Sequence, residues 1–110
     1  MLTYLAVPYS DPDPIVRQHR FDQVNRVAAR LIGSGQLVFS PISHSHHISI
    51  EHEMSCGWEF WKQHDEYMLS LCSKILVLML DGWKESVGVQ AEITFATEHG
   101  ISVEYMEFNE

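Results

Sequence analysis

The most restrictive feature of the sequence is a pair of uninterrupted apolar runs, LTYLAVPY at residues 2–9 and KILVLML at residues 74–80. A continuous apolar run bounded by turn residues indicates a strand that is buried on both faces, because a half-exposed strand would alternate apolar and polar side chains. Strands of this kind occur in parallel sheets whose two faces are covered by helices. We therefore predict a parallel sheet in which residues 74–80 form the central strand.

The segments around these runs carry helical or strand periodicity. Asp13 and Pro14 supply an N-cap and a proline at the first helical position, so a helix is predicted over residues 14–33. Its apolar stripe is expected to include Ile32, and Gly33 or Gly35 is expected to end it. The remaining predicted elements are strands at residues 37–40 and 101–108, the second nearer an edge, and helices at residues 57–72 and 86–99. Residues 41–56 show no clear period and are predicted to form a long loop.

The order of these elements predicts the fold class. Strands that alternate with helices form right-handed crossovers, which indicates an α/β protein: a three-layer α/β/α, Rossmann-like or flavodoxin-like parallel sheet of four to five strands. The length of 110 residues predicts one domain, residues 1–110. Ligands of such sheets bind at the carboxyl ends of the strands, where residues 8–13, 41–56 and 81–88 are expected to converge.

Charge and composition exclude several classes of partner. The net charge of -8 argues against binding to a nucleic acid polymer, which requires clustered Lys and Arg. No apolar run approaches the ~20 residues of a membrane helix, and the N-terminal residues lack the features of a signal peptide. We expect a cytoplasmic protein in which Cys56 and Cys72 are reduced thiols.

The segment SVGVQAE at residues 86–92 combines three residues that are suited to a ligand site. Ser86 at the start of a helix, followed by Gly88, offers a hydroxyl and backbone amides at the positive end of the helix dipole, which favours an anion. The alternative is that Ser86 only caps the helix and Gly88 only permits close packing. Glu92 lies beside the apolar stripe of the helix, close to the sheet, which favours a role in a site.

The histidine-rich segment and the tryptophans after it leave several alternatives open. One alternative for the four histidines is a metal site, although they lack the paired spacing of known zinc motifs. A second is a polar lid, in which a histidine such as His44 touches the ligand, and a third is a solvated loop. The tryptophans are assigned to the core or to a subunit interface, which predicts a homo-oligomer. The residues concerned are His44, His46, His47, His52, Trp58 and Trp61.

Four segments together resemble one known superfamily. YLAVPYS, VNRVAARLIGSGQLVFSP, HDEYMLSLCSKILVLML and SVGVQAE look like the nucleoside 2-deoxyribosyltransferase-like superfamily, which includes the 2'-deoxynucleoside 5'-monophosphate N-glycosidases and small bacterial families of unknown function. The resemblance covers nearly the whole chain and is weakest over residues 41–56. It implies an enzyme that cleaves or transfers the N-glycosidic bond of a 2'-deoxynucleoside without a metal or other cofactor.

The resemblance also implies a role for individual residues. Glu92 matches the glutamate that attacks the anomeric carbon, Tyr4 matches the tyrosine that orients it, and Asp65 matches the aspartate associated with proton transfer to the leaving base. Ser86 matches a position that is serine in the monophosphate N-glycosidases, which favours a 5'-phosphorylated substrate. A non-catalytic nucleotide-binding or sensing module of the same fold is the alternative, and a metal-dependent hydrolase is a weaker one.

The sequence departs from the superfamily around the expected phosphate site. Pro8 stands where a phosphate-binding serine is expected, and Pro8 and Tyr9 are both assigned to the substrate-binding segment. The segment LDGWKES adds residues between the third strand and the serine motif. Within it, Asp81 is expected to touch a sugar hydroxyl and Trp83 to stack on a base, with capping and packing as the alternatives.

Overall fold

The computed structural model describes residues 1–55 and 57–109 and contains four strands and four helices within them. In chain order the elements are β1 (Leu2–Ala6), α1 (Pro14–Gly33), β2 (Leu37–Phe39), α2 (Pro41–Glu51), α3 (Trp58–Ser70), β3 (Lys74–Met79), α4 (Val87–Glu98) and β4 (Ser102–Glu107). All elements that the sequence predicted are present within one or two residues of their expected ends, except that β1 ends three residues before the end of the apolar run at residues 2–9. The loop predicted over residues 41–56 is the other exception.

The sheet is parallel throughout, with the strand order β2-β1-β3-β4. The two continuous apolar runs therefore supply the two central strands, as their composition predicted. In β1, Tyr4 is aligned with Phe39 of β2 on one side and with Ile75 of β3 on the other. The edge strand β4 is largely exposed, which agrees with its alternating sequence.

Helices cover both faces of the sheet and confirm the three-layer α/β/α architecture. On one face, Leu5 and Leu78 pack against α1 through Val24 and its neighbours. On the other face, Tyr4 and Val77 pack in one cluster with residues of α3 and α4. Each Leu or Val side chain that is fully buried contributes about 1.5–3 kcal/mol to stability. This alternation of faces along β1 directs Tyr4 towards α4.

The first helix has the ends that its sequence predicted. The Asp13 carboxylate accepts a hydrogen bond of 2.9 Å from the backbone N–H of Ile15, and Pro14 occupies the first turn. Beyond the other end, Gly35 has φ of +97°, a value that favours glycine. The predicted stripe was wrong at Ile32, which is exposed, since the buried positions follow Val24, Val27, Ala28 and Leu31.

The prediction of a loop over residues 41–56 was wrong, because Pro41–Glu51 form helix α2. Pro41 occupies the start of this helix, and its buried residues are Pro41, Ser45, His46 and Ser49. Their spacing is helical, but three of the four are polar. A search for apolar periodicity cannot find a helix whose inward face is made of serine and histidine.

Cys72 is a free, buried thiol whose pKa is raised because burial disfavours the charged thiolate. Cys56, the second predicted reduced thiol, lies outside the described residues. Across residues 1–55 and 57–109, no helix combines the length and apolar character that crossing a membrane requires.

Candidate functional site

A cavity of about 450 Å³ opens at the carboxyl end of the sheet. Four segments form its wall: residues 7–10 after β1, the start of α2, the first two turns of α3 and the residues around the start of α4. This volume is within the range of small-molecule sites, and the position is where parallel α/β sheets bind their ligands.

Tyr4 and Glu92 form a buried pair at the base of this cavity. The Tyr4 side chain is 0% exposed, Glu92 is 5% exposed and lines the cavity, and the phenol donates a short hydrogen bond to Oε2 of Glu92. The pair forms because Tyr4 lies on the face of β1 that packs against α4, while Glu92 follows Val89 by three residues on the inward side of that helix.

Burial controls the protonation of this pair. The pKa of Glu92 is raised from the ordinary 4.5 to about 8, first because burial disfavours the charged carboxylate; the Tyr4 hydrogen bond lowers it, and the charges of Asp65 and Glu66 also raise it. The pKa of Tyr4 lies well above its ordinary value, first because of burial and then because of Glu92, so the phenol remains the donor. Burial therefore outweighs the hydrogen bond from Tyr4, which favours the ionised carboxylate.

Asp65 supplies a second carboxyl group on the cavity wall. It is buried on α3, and burial raises its pKa, while a hydrogen bond and the charge of His64 lower it. The atoms Nδ1 of His64 and Oδ1 of Asp65 are 3.3 Å apart. Two carboxyl groups with raised pKa values in one cavity are typical of a site that transfers protons.

Two indole rings form the aromatic part of the wall. Trp58 and Trp61 line the cavity, and Nε1 of Trp61 donates a hydrogen bond of 2.8 Å to the backbone oxygen of Ser55, which holds the ring in place. Both residues were expected in the core or at a subunit interface rather than as a stacking platform, so their position in the cavity wall was not predicted. Their spacing from Asp65, seven and four residues along one helix, was the signal that the three side chains share a face.

The cavity wall is acidic. Among its described residues four carry a carboxyl group and none is Lys, Arg or His; the four are Glu59, Asp65, Glu85 and Glu92. Its two exposed members, Glu59 and Glu85, attract cations and repel phosphate, whereas burial favours the protonated forms of Asp65 and Glu92.

Ser86 and Gly88 line the cavity and also have structural roles. Oγ of Ser86 caps α4 by accepting a hydrogen bond of 3.2 Å from the N–H of Val89. A Cβ atom on Gly88 would lie 3.4 Å from Cε3 of Trp58, so the glycine lets the indole approach α4. The capping and packing alternatives are therefore both observed, in side chains that also face the cavity.

A family model matches residues 1–108, and its description is Domain of unknown function (DUF1937). The chain belongs to this family. The match includes all four strands and the residues of the cavity. Among curated proteins, none matches the sequence at a significant level.

Of the predicted substrate-binding residues, this DUF1937 domain brings Ser86, Gly88 and Tyr9 to the cavity, and four others lie elsewhere. Pro8 is fully buried beside the wall. After β3 the chain turns at Gly82, which has φ of +90°, and Nη2 of Arg20 donates a hydrogen bond of 3.2 Å to the backbone oxygen of Asp81. That contact holds Asp81 against α1 and away from the cavity.

Trp83 and His44 are the other two predicted residues that do not line the cavity of the DUF1937 domain. Trp83 packs against the core of the α4 face, with its ring centroid 5.6 Å from that of Tyr105. The exposed ring of His44 stacks on His64, with centroids 5.5 Å apart, and its charge lowers the pKa of Asp65 from behind the wall. Packing on β4 and on α3 thus takes both rings out of the predicted site.

The histidines of α2 do not gather around a common point. His46 and His47 contact each other and both pack on Phe21, whereas His44 stacks on His64. Within residues 1–55 and 57–109, no group of three or more His, Cys, Asp or Glu side chains is placed to hold a metal ion.

Proposed function

We propose that this protein cleaves or transfers the N-glycosidic bond of a 2'-deoxynucleoside, with Glu92 as the nucleophile. The observation that carries the proposal is that the buried Tyr4–Glu92 pair lies at a cavity whose wall also holds the carboxyl group of Asp65 and two indole rings. This set of groups matches what the reaction requires: a nucleophile, an acid and a surface for the base.

The reaction passes through a transition state in which positive charge develops on the sugar ring, so a carboxylate must lie under the anomeric carbon. Ionised Glu92 forms a bond to that carbon while the bond to the base nitrogen breaks and its electron pair leaves with the base. Protonated Asp65 donates its proton to the departing base. Water, or a second base, then attacks the same carbon, gives its proton to Asp65 and releases Glu92.

The pKa shift of Asp65 and the hydrogen bond from Tyr4 to Glu92 support these roles. Burial favours the protonated form of Asp65, as a general acid requires. Glu92 has a pKa of about 8, so about one molecule in ten carries the ionised form at neutral pH. The donated hydrogen bond from Tyr4 favours that ionised form and fixes the direction of the carboxylate.

The cavity wall favours an unphosphorylated substrate. Trp58 and Trp61 offer faces on which a base can stack, and stacking of this kind contributes about 1–3 kcal/mol per base. The hydroxyl groups of a deoxyribose find hydrogen-bond partners in the surrounding carboxyl groups. A 5'-phosphate would instead meet the exposed acidic residues Glu59 and Glu85 in a wall that has, within its described part, no cationic residue.

Incubation of the purified protein with 2'-deoxynucleosides and with their 5'-monophosphates, followed by chromatography of the released base, tests the proposal. We expect base release from the deoxynucleosides and at least ~10-fold slower release from the monophosphates, because one repelled charge reaches about 1.4 kcal/mol. Preference for the monophosphates would contradict the assigned substrate. Binding without release of base would instead support the non-catalytic module, which a largely protonated Glu92 favours.

The replacement Tyr4→Phe is expected to move the pH dependence of the reaction. The phenol lowers the pKa of Glu92, so its removal raises that pKa further above about 8 and shifts the rise of kcat/KM by about one unit to higher pH. At pH 7 the variant should be up to ~10-fold slower and should recover in alkaline buffer. Tyr67→Phe, which alters an exposed tyrosine on α3, is the matched control. An unchanged pH profile would show that Tyr4 does not influence the pKa of Glu92.

A further inference from the structure

The cavity wall combines two features that attract positive charge. Trp58 and Trp61 are half-buried and line the cavity, so part of each indole ring remains open to a ligand. The face of an aromatic ring carries negative charge density, and among aromatic side chains indole binds cations most strongly. Glu59 and Glu85 are exposed members of the same wall. Aromatic rings and carboxylates around one space are typical of sites that recognise organic cations.

The exposed carboxylates of the wall are not neutralised by the protein itself. In the part of the chain that the structure describes, no Lys, Arg or His lies within ion-pair distance of Glu59 or Glu85. Lys84, the neighbour of Glu85 in the chain, places its Nζ 5.8 Å from the ring centroid of Trp83, which lies outside the cavity. The negative charge of the wall is therefore available to a ligand.

The start of α4 brings an opposing charge to this wall. The positive end of a helix dipole is equivalent to about half an elementary charge, and Ser86 and Gly88 place that end at the cavity. Oγ of Ser86 already accepts a hydrogen bond from one of the free N–H groups, that of Val89. Glu59 and Glu85 each contribute a full negative charge, so the balance at the wall remains negative.

A positive charge on the base also suits the two buried carboxyl groups. A cation in the cavity favours the ionised form of Glu92, the form that attacks the sugar, whose pKa is raised to about 8, first by burial. A base that is alkylated on a ring nitrogen brings the charge with it, and a neutral base acquires it from protonated Asp65. In both cases the electron pair of the broken C–N bond goes to the base nitrogen, and the base leaves as a neutral molecule.

We infer that the cavity binds a heteroaromatic base in its positively charged form, against the indole rings of Trp58 and Trp61. Glu59 and Glu85 supply the opposite charge. The inference rests on the proposed function for the sugar that is attached to the base. It adds the class of leaving group: bases that are alkylated or readily protonated on a ring nitrogen, such as N-alkylpyridinium rings and 7-alkylpurines. The selection of charge does not itself require that a bond is broken.

A pair of small probes tests the preference for charge without any activity. The 1-methyl-3-carbamoylpyridinium cation and 3-methylbenzamide have the same shape, but a positively charged nitrogen in the first replaces a carbon atom in the second. We expect isothermal titration calorimetry to show ~10-fold tighter binding of the cation. The preference should fall at high salt, because Glu59 and Glu85 are exposed. Equal affinities, or no binding of the cation up to about 10 mM, would overturn the inference.

Replacement of the exposed acids tests whether this wall causes the preference, expressed as the ratio of the two Kd values. Glu59→Gln and Glu85→Gln should each lower the ratio by about 2–3-fold, and the double variant by about 5-fold. Glu98→Gln, on the exposed side of α4 and outside the cavity wall, is the matched control and should keep the wild-type ratio. A double variant with the wild-type ratio would overturn the inference.

The indole rings have their own variants. Trp58→Leu and Trp61→Leu keep an apolar side chain but remove the ring that attracts a cation, so each should lower the ratio by ~3-fold. Phe60→Leu, which changes an exposed ring on α3 outside the cavity wall, is the control, and circular dichroism verifies the fold of each variant. A wild-type ratio in the folded tryptophan variants would overturn the inference, because the acids alone would then explain the preference.

The failure of the proposed function has a different signature. Release of base from 7-methyl-2'-deoxyguanosine and from 2'-deoxyguanosine is compared at pH 6, where the methylated base is positively charged, and spontaneous release is subtracted. We expect the double variant of Glu59 and Glu85 to raise KM for the methylated compound ~5-fold more than for the parent. Equal increases in KM would overturn the inference alone. If wild type releases no base but prefers the cationic probe, the proposed function fails and the inference stands for a binding module.

Discussion

Replacing Glu92 with glutamine is expected to slow base release from 2'-deoxynucleosides by about 10²–10³-fold, which corresponds to about 3–4 kcal/mol of lost transition-state stabilisation. Glutamine fills the same space and still accepts the hydrogen bond from Tyr4, but it can neither attack the anomeric carbon nor balance the positive charge on the sugar. The measurement is the initial rate of base release at pH 8, where half of the wild-type carboxyl groups are ionised.

The matched control for this prediction is Glu98→Gln. Glu98 lies on the same helix, and its exposed side chain lies outside the cavity wall, so the same chemical change should leave the rate unaltered. Mass spectrometry of wild type quenched during turnover should also show the mass of one deoxyribosyl group attached to the peptide that contains Glu92. A Glu92→Gln variant with the wild-type rate would remove the nucleophile from the mechanism.

The sequence predicted the fold almost completely because the fold depends on patterns that repeat along the chain. Two continuous apolar runs defined the central strands, and helical spacing with an Asp13-Pro14 start defined α1. Helix α2 was missed because its inward face consists mainly of serine and histidine. Burial there is compensated by hydrogen bonds such as that between Tyr9 and His46, and no apolar period records such contacts.

The site was less predictable because it depends on the path that the chain takes after each strand. Tyr4 and Glu92 are 88 residues apart in the chain, and their contact was expected because the resemblance paired them, while the helix pattern alone placed only Glu92 close to the sheet. Trp83 packs on Tyr105, which was one of the alternatives left open, and Arg20 holds the backbone of Asp81, so two distant residues decide where that turn lies. Contacts of this kind are tertiary and leave no local pattern.

A second large effect of Glu92→Gln is expected on stability, and its direction is opposite to the effect on rate. The folded protein holds the proton of Glu92 up to a pKa of about 8, whereas the unfolded chain releases it near the ordinary value of 4.5. The stabilisation is therefore complete below 4.5 and is lost as pH rises towards 8. Within that window the free energy of unfolding of the wild type should fall by about 1.4 kcal/mol per pH unit through this group.

Glutamine has no proton to lose, so the variant should escape this decline. We expect its free energy of unfolding, relative to that of wild type, to increase by roughly 3 kcal/mol between pH 4.5 and pH 7. Urea denaturation of both proteins across this range measures the difference, and Glu98→Gln should follow wild type. Parallel curves for Glu92→Gln and wild type would contradict the raised pKa.

The combination of the two effects distinguishes a site from a structural contact. Suppose that the Tyr4–Glu92 pair served only the fold. Natural selection would then favour a neutral residue in place of Glu92, because that residue would stabilise the protein and no activity would be lost. A carboxyl group that weakens the fold as it ionises is instead expected where the ionised form reacts. A variant that is more stable at pH 7 and inactive would therefore establish that the burial of Glu92 is maintained for chemistry.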